Sequence, residues 1–86
     1  MYFVYILYSV RFAKTYVGLT ENVEKRIIEH NNKKSNYTSK YTPWEAIHVE
    51  SFSTRIEARK REKYLKSSAG RRWMKTNINW PSSSTG

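Results

Sequence analysis

The sequence predicts a small α+β domain, in which a three-stranded antiparallel sheet is flanked by two or three helices in the order ββαβαα. Two observations favour this fold. Three strand-like runs alternate with segments that have helical periodicity and capping residues, and 86 residues suffice for one core. Aromatic residues make up 15% of the chain. Each buried ring adds about 150–250 Å² of buried area, which suits so small a core.

The first two strands form a hairpin. Tyr2–Tyr8 is rich in β-branched and aromatic residues, which is typical of a strand buried on both faces. Ser9–Lys14 is polar and basic and has the length of a hairpin loop. Thr15–Leu19 follows as its antiparallel partner. Gly18 near the end of this run indicates a tight bend or a close approach of the backbone to a ligand.

The first helix begins directly after the hairpin. Thr20 is the expected N-cap, and the helix extends to about His30. At about 100° per residue, Arg26 and His30 lie one turn apart on one face, together with Val23 and Ile27. This spacing predicts that an arginine and a histidine flank the apolar pair on the side that packs against the sheet.

The middle of the chain contains a loop, a strand and a helix start. Lys33–Pro43 is polar and basic without periodicity, and such a long irregular segment is usually functional or mobile. Trp44–Phe52 is the third predicted strand. Thr54 and Glu57 form an S/T-x-x-E capping box, which predicts a second helix extending to about Ser67.

The second helix has an apolar stripe that contains a carboxylate. Ala58, Glu62, Leu65 and Ala69 fall on one face at helical spacing, and basic residues occupy the other side. A buried carboxylate has to be paired or has to hold a cation. Glu62 is therefore either a structural partner, for instance of Arg26, or a metal ligand.

The C-terminal part of the chain is predicted to form a short third helix. It is capped by Ser67 or Ser68 and continues through Lys75. We assign residues 1–78 to one domain. Residues 79–86 are turn-like in composition and are expected to form a flexible tail.

Charge is the strongest compositional signal. Sixteen Lys and Arg residues against seven glutamates give a net charge of +9. A surface of this kind attracts polyanions, and nucleic acid is the first candidate, although a basic chain can also be merely soluble. Clustering after position 54 favours nucleic acid. The expected contact residues lie on α-helical faces away from the apolar stripe: Arg55, Arg59, Lys63, Lys66, Arg71 and Arg72.

Composition also excludes several kinds of site. The chain has no cysteine, which rules out disulfides and thiolate metal sites and fits a cytoplasmic protein. No apolar run reaches the roughly 18 residues of a membrane span. The absence of aspartate argues against clustered carboxylates that hold two metal ions. Any metal would be held by one glutamate, water and a phosphate, an arrangement typical of Mg²⁺.

Four more side chains are candidates for chemistry. Tyr5 and Tyr16 lie on paired strands, and each hydroxyl needs a polar partner if it is buried. Arg26 can hold a phosphate through parallel hydrogen bonds, and His30 can relay a proton near neutral pH. Each has a simpler interpretation: the tyrosines as core aromatics, the arginine as an exposed charge and the histidine as a satisfied helix-end residue.

Together these residues resemble the GIY-YIG nuclease domain family. The first triad is degenerate because phenylalanine replaces glycine, and the second is a close match. The resemblance covers residues 1 to about 75. It is closest to small free-standing bacterial members related to the N-terminal nuclease module of the excision-repair incision subunit. The motif residues occur in the family's order: Phe3-Val4-Tyr5, Tyr16-Val17-Gly18, Arg26, His30 and Glu62.

The resemblance implies metal-dependent endonucleolytic hydrolysis of DNA phosphodiester bonds, in DNA repair or recombination. In that case Tyr5 or Tyr16 would activate the attacking water, with His30 assisting. Arg26 would stabilise charge on the phosphate, and Glu62 would hold one Mg²⁺ or Mn²⁺ ion. A free tyrosine has a pKa of about 10. A nearby cation, the arginine and a histidine hydrogen bond would each lower that value.

Two other classes of function stay open. The same fold could bind nucleic acid without cleaving it, or the chain could be a basic adaptor for an acidic protein.

The resemblance has two further implications. A family asparagine near the C-terminus would correspond to Asn77. The family commonly attaches a separate DNA-recognition domain, which these 86 residues do not include. Targeting by a partner protein is therefore open, as is the oligomeric state.

Overall fold

Strand β1, Tyr2–Ser9, lies at the centre of the sheet. It pairs with β2 (Lys14–Thr20) on one side and with β3 (Glu45–Phe52) on the other, and both pairings are antiparallel. The structure is a computed structural model that describes residues 1–32, 38–78 and 80. The predicted α+β class and antiparallel sheet are confirmed, and each strand end lies within one residue of its predicted position.

Each helix begins after a residue whose side chain caps the first turn. Thr54 Oγ1 accepts a hydrogen bond from the Glu57 amide at 3.2 Å, and Ser67 Oγ accepts one from the Gly70 amide at 3.2 Å. No helix within the described ranges is long and apolar enough to cross a membrane. The three α-helices are α1 (Val23–Asn31), α2 (Arg55–Leu65) and α3 (Ser68–Asn77).

The N-cap of α1 is Asn22, so the predicted cap at Thr20 is wrong. Thr20 is still part of β2, where it lies opposite Phe3, and its backbone is committed to the sheet. The Thr20 hydroxyl instead accepts a hydrogen bond from the Asn22 amide at 3.1 Å. Asn22 Oδ1 then accepts from the Lys25 amide at 3.1 Å, so α1 starts at Val23, three residues after the last residue of the strand.

The larger apolar cluster lies between the sheet and the two C-terminal helices. Val4 and Ile6 of β1 point to this face, because alternate residues of a strand point the same way. They pack with Ala58 and Leu65 of α2 and with Met74 of α3, all of which are buried. This cluster attaches α2 and α3 to the sheet.

A second apolar cluster lies on the opposite face of the sheet. Tyr5 and Leu7 of β1 are fully buried there together with Trp44, and Val23 and Ile27 of α1 pack against them. The predicted burial of β1 on both faces is confirmed. The predicted face of α1 is confirmed as well, because its two apolar residues and His30 all turn toward the sheet side.

The chain turns sharply between α2 and α3. Helix α2 ends at Leu65, so Ala69 is not part of its buried stripe and is exposed instead. Gly70 takes the buried position in α3. A Cβ on Gly70 would lie 2.5 Å from the Leu65 Cα and would also overlap the Tyr64 backbone. Glycine therefore lets the two helices approach closely at this corner.

The second half of the predicted loop is ordered as a short 3-10 helix, Thr38–Tyr41. Thr38 is fully buried, and its carbonyl oxygen accepts a hydrogen bond from Trp44 Nε1 at 2.8 Å. The Trp44 backbone is held by the Asn31 side chain at the end of α1. Residues 33–37 of the predicted loop lie outside the described residues. The described part closes the space between α1 and the sheet.

An ion-pair network joins β3 to α2 and α3. Arg61 donates from Nε and Nη2 to the two carboxylate oxygens of Glu50, at 2.8 and 3.0 Å. His48 Nε2 lies 2.8 Å from Glu50 Oε2. The guanidinium also stacks on Trp73, with 4.4 Å between Cζ and the ring centre. This network fixes the β3 edge of the sheet to both helices.

We predict that Glu50→Gln destabilises the fold in a pH-dependent way. Partial burial tends to raise the pKa of Glu50, but the hydrogen bonds from Arg61 and His48 outweigh burial and lower it. A carboxyl with a lowered pKa stabilises the fold above its ordinary pKa, and this stability is lost as the pH falls through the folded value. Replacing the charged acceptor should cost about 1.5–3 kcal/mol near neutral pH.

Thermal unfolding between pH 3 and 7 checks this prediction. The stability difference between parent and variant should be largest near neutral pH and should shrink in acid. Glu45→Gln is the matched control, since Glu45 is an exposed carboxylate on the same strand. Equal melting temperatures for Glu50→Gln and its parent at pH 7 would show that the network does not stabilise the fold.

Candidate active site

The register of the hairpin brings the two motif tyrosines to one face of the sheet. Tyr5 lies opposite Gly18, and Leu7 lies opposite Tyr16. Residues directly opposite each other in an antiparallel pair share a face. The ring centres of Tyr5 and Tyr16 are 6.3 Å apart. Tyr5 is fully buried and Tyr16 is half-buried, so the pair spans the distance from the core to the surface.

Gly18 provides the space that the Tyr5 side chain occupies. A Cβ built on Gly18 would lie 2.9 Å from Tyr5 Cε1 and closer still to the Cζ and hydroxyl atoms. The phenol therefore crosses directly over the backbone of β2. The sequence indicated a tight bend or a close approach to a ligand at this glycine, and the structure instead places the tyrosine of the neighbouring strand there. Any other residue here would displace the Tyr5 hydroxyl.

His30 of α1 connects the tyrosines to the 3-10 helix. Its Nε2 lies 3.1 Å from the Tyr5 hydroxyl, and its Nδ1 lies 2.9 Å from Thr38 Oγ1. The Tyr16 ring packs edge-on against the imidazole, with 4.9 Å between ring centres. All polar atoms of this buried chain are satisfied. Thr38 was not predicted as a site residue, because it lies in an aperiodic segment whose only signal was its length.

Burial sets the protonation of His30. It lowers the pKa of the imidazole, and the nearby Arg26 charge lowers it further, while Glu29 raises it slightly. His30 is therefore neutral near pH 7, with one protonated ring nitrogen. In one tautomer Nε2 accepts the Tyr5 proton, and in the other Nε2–H donates to the Tyr5 oxygen. In both tautomers the chain of hydroxyl, imidazole and hydroxyl stays hydrogen-bonded.

Charged side chains surround the Tyr5 hydroxyl. Burial raises the pKa of Tyr5, the neighbouring Arg26 guanidinium lowers it by a smaller amount, and Tyr16 and Glu62 raise it. Arg26 therefore lowers the pKa of Tyr5, as expected from the sequence, but burial raises that pKa by more. Arg26 also donates to Glu29 Oε1 at 2.8 Å. Tyr5 is a neutral phenol near pH 7 in this state.

Glu62 is buried on α2, and both of its carboxylate oxygens are paired. Arg59 Nη1 donates to Oε1 at 3.2 Å, and Lys66 Nζ donates to Oε2 at 3.1 Å. The partner suggested from sequence, Arg26, is instead paired with Glu29. Glu62 still acts on the Tyr5 hydroxyl through its charge.

The donor set around Glu62 limits the kind of metal it can hold. In the part of the chain that the structure describes, no three histidine, cysteine, aspartate or glutamate side chains are grouped as a metal site. One buried carboxylate fits Mg²⁺ or Mn²⁺, which keep several waters and complete their shell with substrate phosphate oxygens. It does not fit a structural metal site, which needs a closed set of protein ligands.

The predicted nucleic-acid contacts are all exposed but fall into two groups. Arg59 and Lys66 carry the ion pairs with Glu62. The other four predicted contacts, which are named at the end of this paragraph, have no ion pair with a carboxylate among the described residues. Asn77, the candidate family asparagine, is exposed, and its amide bonds to Trp73 and Thr76 of its own helix. The remaining exposed cations are Arg55, Lys63, Arg71 and Arg72.

Comparison with known proteins identifies the family. Residues 1–77 match the family described as the GIY-YIG catalytic domain. A UPF0213 protein of Natronomonas pharaonis is 39% identical over 67 residues, which cover 77% of this chain and 78% of the relative. A UPF0213 protein of Staphylococcus saprophyticus is 36% identical over 66 residues, with 76% and 79% covered. One of Clostridium perfringens is 40% identical over 67 residues, with 77% and 71% covered.

Since the family match spans residues 1–77 of the 86, the chain belongs to the GIY-YIG catalytic domain family, a family of nucleases.

Proposed function

We propose that the protein is a metal-dependent DNA endonuclease that hydrolyses phosphodiester bonds at the Tyr5–Tyr16 cluster. The observation that carries the proposal is the packing of both tyrosines around one buried imidazole: His30 Nε2 lies 3.1 Å from the Tyr5 hydroxyl, and the Tyr16 ring packs edge-on against His30. GIY-YIG nucleases generally use divalent metal ions and act on DNA. Repair or recombination is the setting suggested by the resemblance.

The two tyrosines take different roles in this mechanism. Tyr16 is half-buried and can meet water, whereas Tyr5 is fully enclosed and bonded to His30. We assign Tyr16 as the hydroxyl that contacts the attacking water. Tyr5 and His30 form the buried proton-holding pair behind it, with Thr38 fixing the imidazole. A positioned base of this kind contributes about 10²–10⁴-fold to the rate.

Arg26 and Glu62 supply the charges that phosphoryl chemistry needs. The guanidinium of Arg26 is half-exposed, so it can hold a phosphate oxygen while staying beside Tyr5. Glu62 would hold the Mg²⁺ or Mn²⁺ ion, which offsets negative charge on the phosphate and the leaving oxygen. The exposed cations of α2 and α3 would bind flanking phosphates.

A non-cleaving nucleic-acid-binding module is the second candidate. It is favoured by the resting state of the site, in which Tyr5 is neutral and both Glu62 oxygens are paired with cations. The decisive experiment incubates the protein with nicked, branched and plain duplex DNA, with and without Mg²⁺ or Mn²⁺. Cleavage of any of these only with metal supports the endonuclease. Tight binding that leaves every substrate intact supports the second candidate.

We predict that Tyr16→Phe and Tyr5→Phe both impair cleavage but differ in stability. Tyr16→Phe should slow single-turnover cleavage by about 10²–10⁴-fold and keep the fold, because it removes one hydroxyl and no ring volume. Tyr5→Phe should also lower the free energy of unfolding by about 1–3 kcal/mol, because His30 Nε2 loses its buried partner. The parent rate should rise with pH in the alkaline range, as a tyrosinate base requires.

Tyr2→Phe is the matched control for these variants, since Tyr2 lies on the same strand but packs against the opposite cluster. It should cleave at the parent rate. Parent-like rates for both Tyr5→Phe and Tyr16→Phe would reduce the two tyrosines to packing residues.

We predict that Glu62→Gln abolishes metal-dependent cleavage and leaves DNA binding intact or tighter. A neutral amide is a poor ligand for a hard dication, and one negative charge near the phosphates is removed. The loss of stability should be small, about 0–1 kcal/mol, because the partners Arg59 and Lys66 are largely exposed. Cleavage, DNA affinity and melting temperature are measured on the same sample.

Glu57→Gln, in the first turn of the same helix, is the control. Its carboxylate accepts from the capping Thr54, so this variant loses some stability but should still cut DNA. If Glu62→Gln cuts DNA in Mg²⁺ as fast as the parent, Glu62 is not the metal ligand.

A further inference from the structure

A groove of about 580 Å³ lies beside Tyr16, between β2 and the junction of α2 with α3. Four basic side chains line it, and none of its lining residues is acidic. Three of these cations, Lys66, Arg71 and Lys75, lie just after α2 or on α3. The fourth, Lys14 on β2, lines the rim of the groove, and its ammonium lies over the Tyr41 ring, 5.4 Å from the ring centre, on the other face of the sheet.

The lining of this groove also has an apolar part. Val17, Leu65 and Met74 contribute to it from the core, and Trp80 completes one side. Trp80 is fixed in place, because its Nε1 donates to the Met74 carbonyl at 3.1 Å and its ring packs edge-on against Tyr8 at 5.2 Å. The groove therefore presents cations and apolar surface together, next to a motif tyrosine.

We propose that this groove binds an unpaired stretch of the DNA strand that leads to the scissile phosphate. Cations combined with an aromatic surface are the chemistry of single-strand binding, in which phosphates meet the charges and bases stack on rings. A base-paired duplex keeps its base faces stacked inside and would leave the apolar lining unused. The proposal rests on the proposed function for the identity of the strand as DNA. The groove and the two tyrosines meet along β2, where Tyr16 and Val17 face opposite sides of the sheet.

Binding is measured without metal, so it does not depend on cleavage. Labelled oligothymidine and a duplex of equal length are titrated at several salt concentrations. The oligonucleotide should bind more tightly than the duplex. In the Arg71→Met/Lys75→Met variant the salt slope should fall by about 1.4, since each single-strand phosphate contact contributes about 0.7. Trp80→Leu should weaken binding several-fold, while Trp80→Phe should keep most of it.

Lys25→Met/Lys60→Met is the matched control, because it removes two exposed cations that do not line the groove. Its slope should stay close to that of the parent. Equal slopes for the two double variants, or duplex binding as tight as oligonucleotide binding, would overturn the proposal. If the protein passes these binding tests but cleaves no DNA, the groove proposal stands and the proposed endonuclease function fails.

The ion pairs of Glu62 carry a second inference. Arg59 and Lys66 each bind one carboxylate oxygen of Glu62, the group that would also bind the metal. The Glu62 side chain is 9% exposed, whereas Arg59 and Lys66 are 60% and 52% exposed. The two cations can therefore turn toward solvent or a phosphate without disturbing the core. In the free protein they neutralise Glu62 and occupy both of its oxygens.

We infer that Arg59 and Lys66 couple DNA binding to metal binding. A DNA phosphate competes with Glu62 for these cations, so bound DNA frees the carboxylate. A dication on Glu62 in turn frees the cations for phosphate. Such coupling is reciprocal, which means that each ligand raises the affinity of the other by the same factor. This inference also rests on the proposed function, specifically on Glu62 as the metal ligand.

The test measures Mn²⁺ affinity by calorimetry, with and without oligothymidine, in a Tyr16→Phe background in which cleavage is slowed. Mn²⁺ should bind on the order of tenfold more tightly when DNA is present, within the usual range of such couplings. Arg59→Met/Lys66→Met should bind Mn²⁺ more tightly in the absence of DNA and should lose most of the coupling. Glu62→Gln gives the baseline for Mn²⁺ held by the DNA itself.

Arg55→Met/Lys63→Met removes the same charge from the same helix and should keep the coupling. Mn²⁺ affinity that is independent of DNA, or equal effects of the two double variants, would overturn the inference. Parent binding that never exceeds the Glu62→Gln baseline would show that the metal assignment itself has failed.

Discussion

The hydrogen bond between the Tyr5 hydroxyl and His30 is the interaction on which the site depends. Tyr5 lies on the central strand and is fully buried, so its hydroxyl requires a partner inside the protein. His30 provides it at 3.1 Å, and Thr38 fixes the other ring nitrogen at 2.9 Å. Gly18 gives the phenol its path across β2. The sheet, α1 and the 3-10 helix therefore have to assemble together, because each supplies one part of this buried chain.

The sequence allowed most of the fold to be predicted because its signals were local. The apolar run of β1, the capping box at Thr54 and the helical spacing of Arg26 and His30 each depend on neighbouring residues only. Where the prediction was wrong, the cause was a tertiary contact. Thr20 has good capping chemistry, but pairing with Phe3 keeps it in the strand. Thr38 joins the site through its contact with a helix eight residues away, which no periodicity reveals.

The ion pairs of the site illustrate the same limit. Both Arg26 and Glu62 were expected near the tyrosines, and a pair between them was the simplest guess. Each instead finds a partner three or four residues away on its own helix, where spacing alone brings opposite charges together. This local pairing leaves neither Arg26 nor Glu62 without a partner of opposite charge.

Stability and chemistry are divided between the two edges of the sheet. The Glu50–Arg61 pair on the β3 edge is bidentate and stacked on Trp73, which suits a permanent structural contact. On the β2 edge, burial raises the pKa of Tyr5 and lowers that of His30, so both groups are neutral near pH 7. A proton moved from phenol to imidazole would create two buried charges, which the enclosed site opposes. In the proposed mechanism, chemistry at this edge would therefore depend on charge brought by the substrate and its cation.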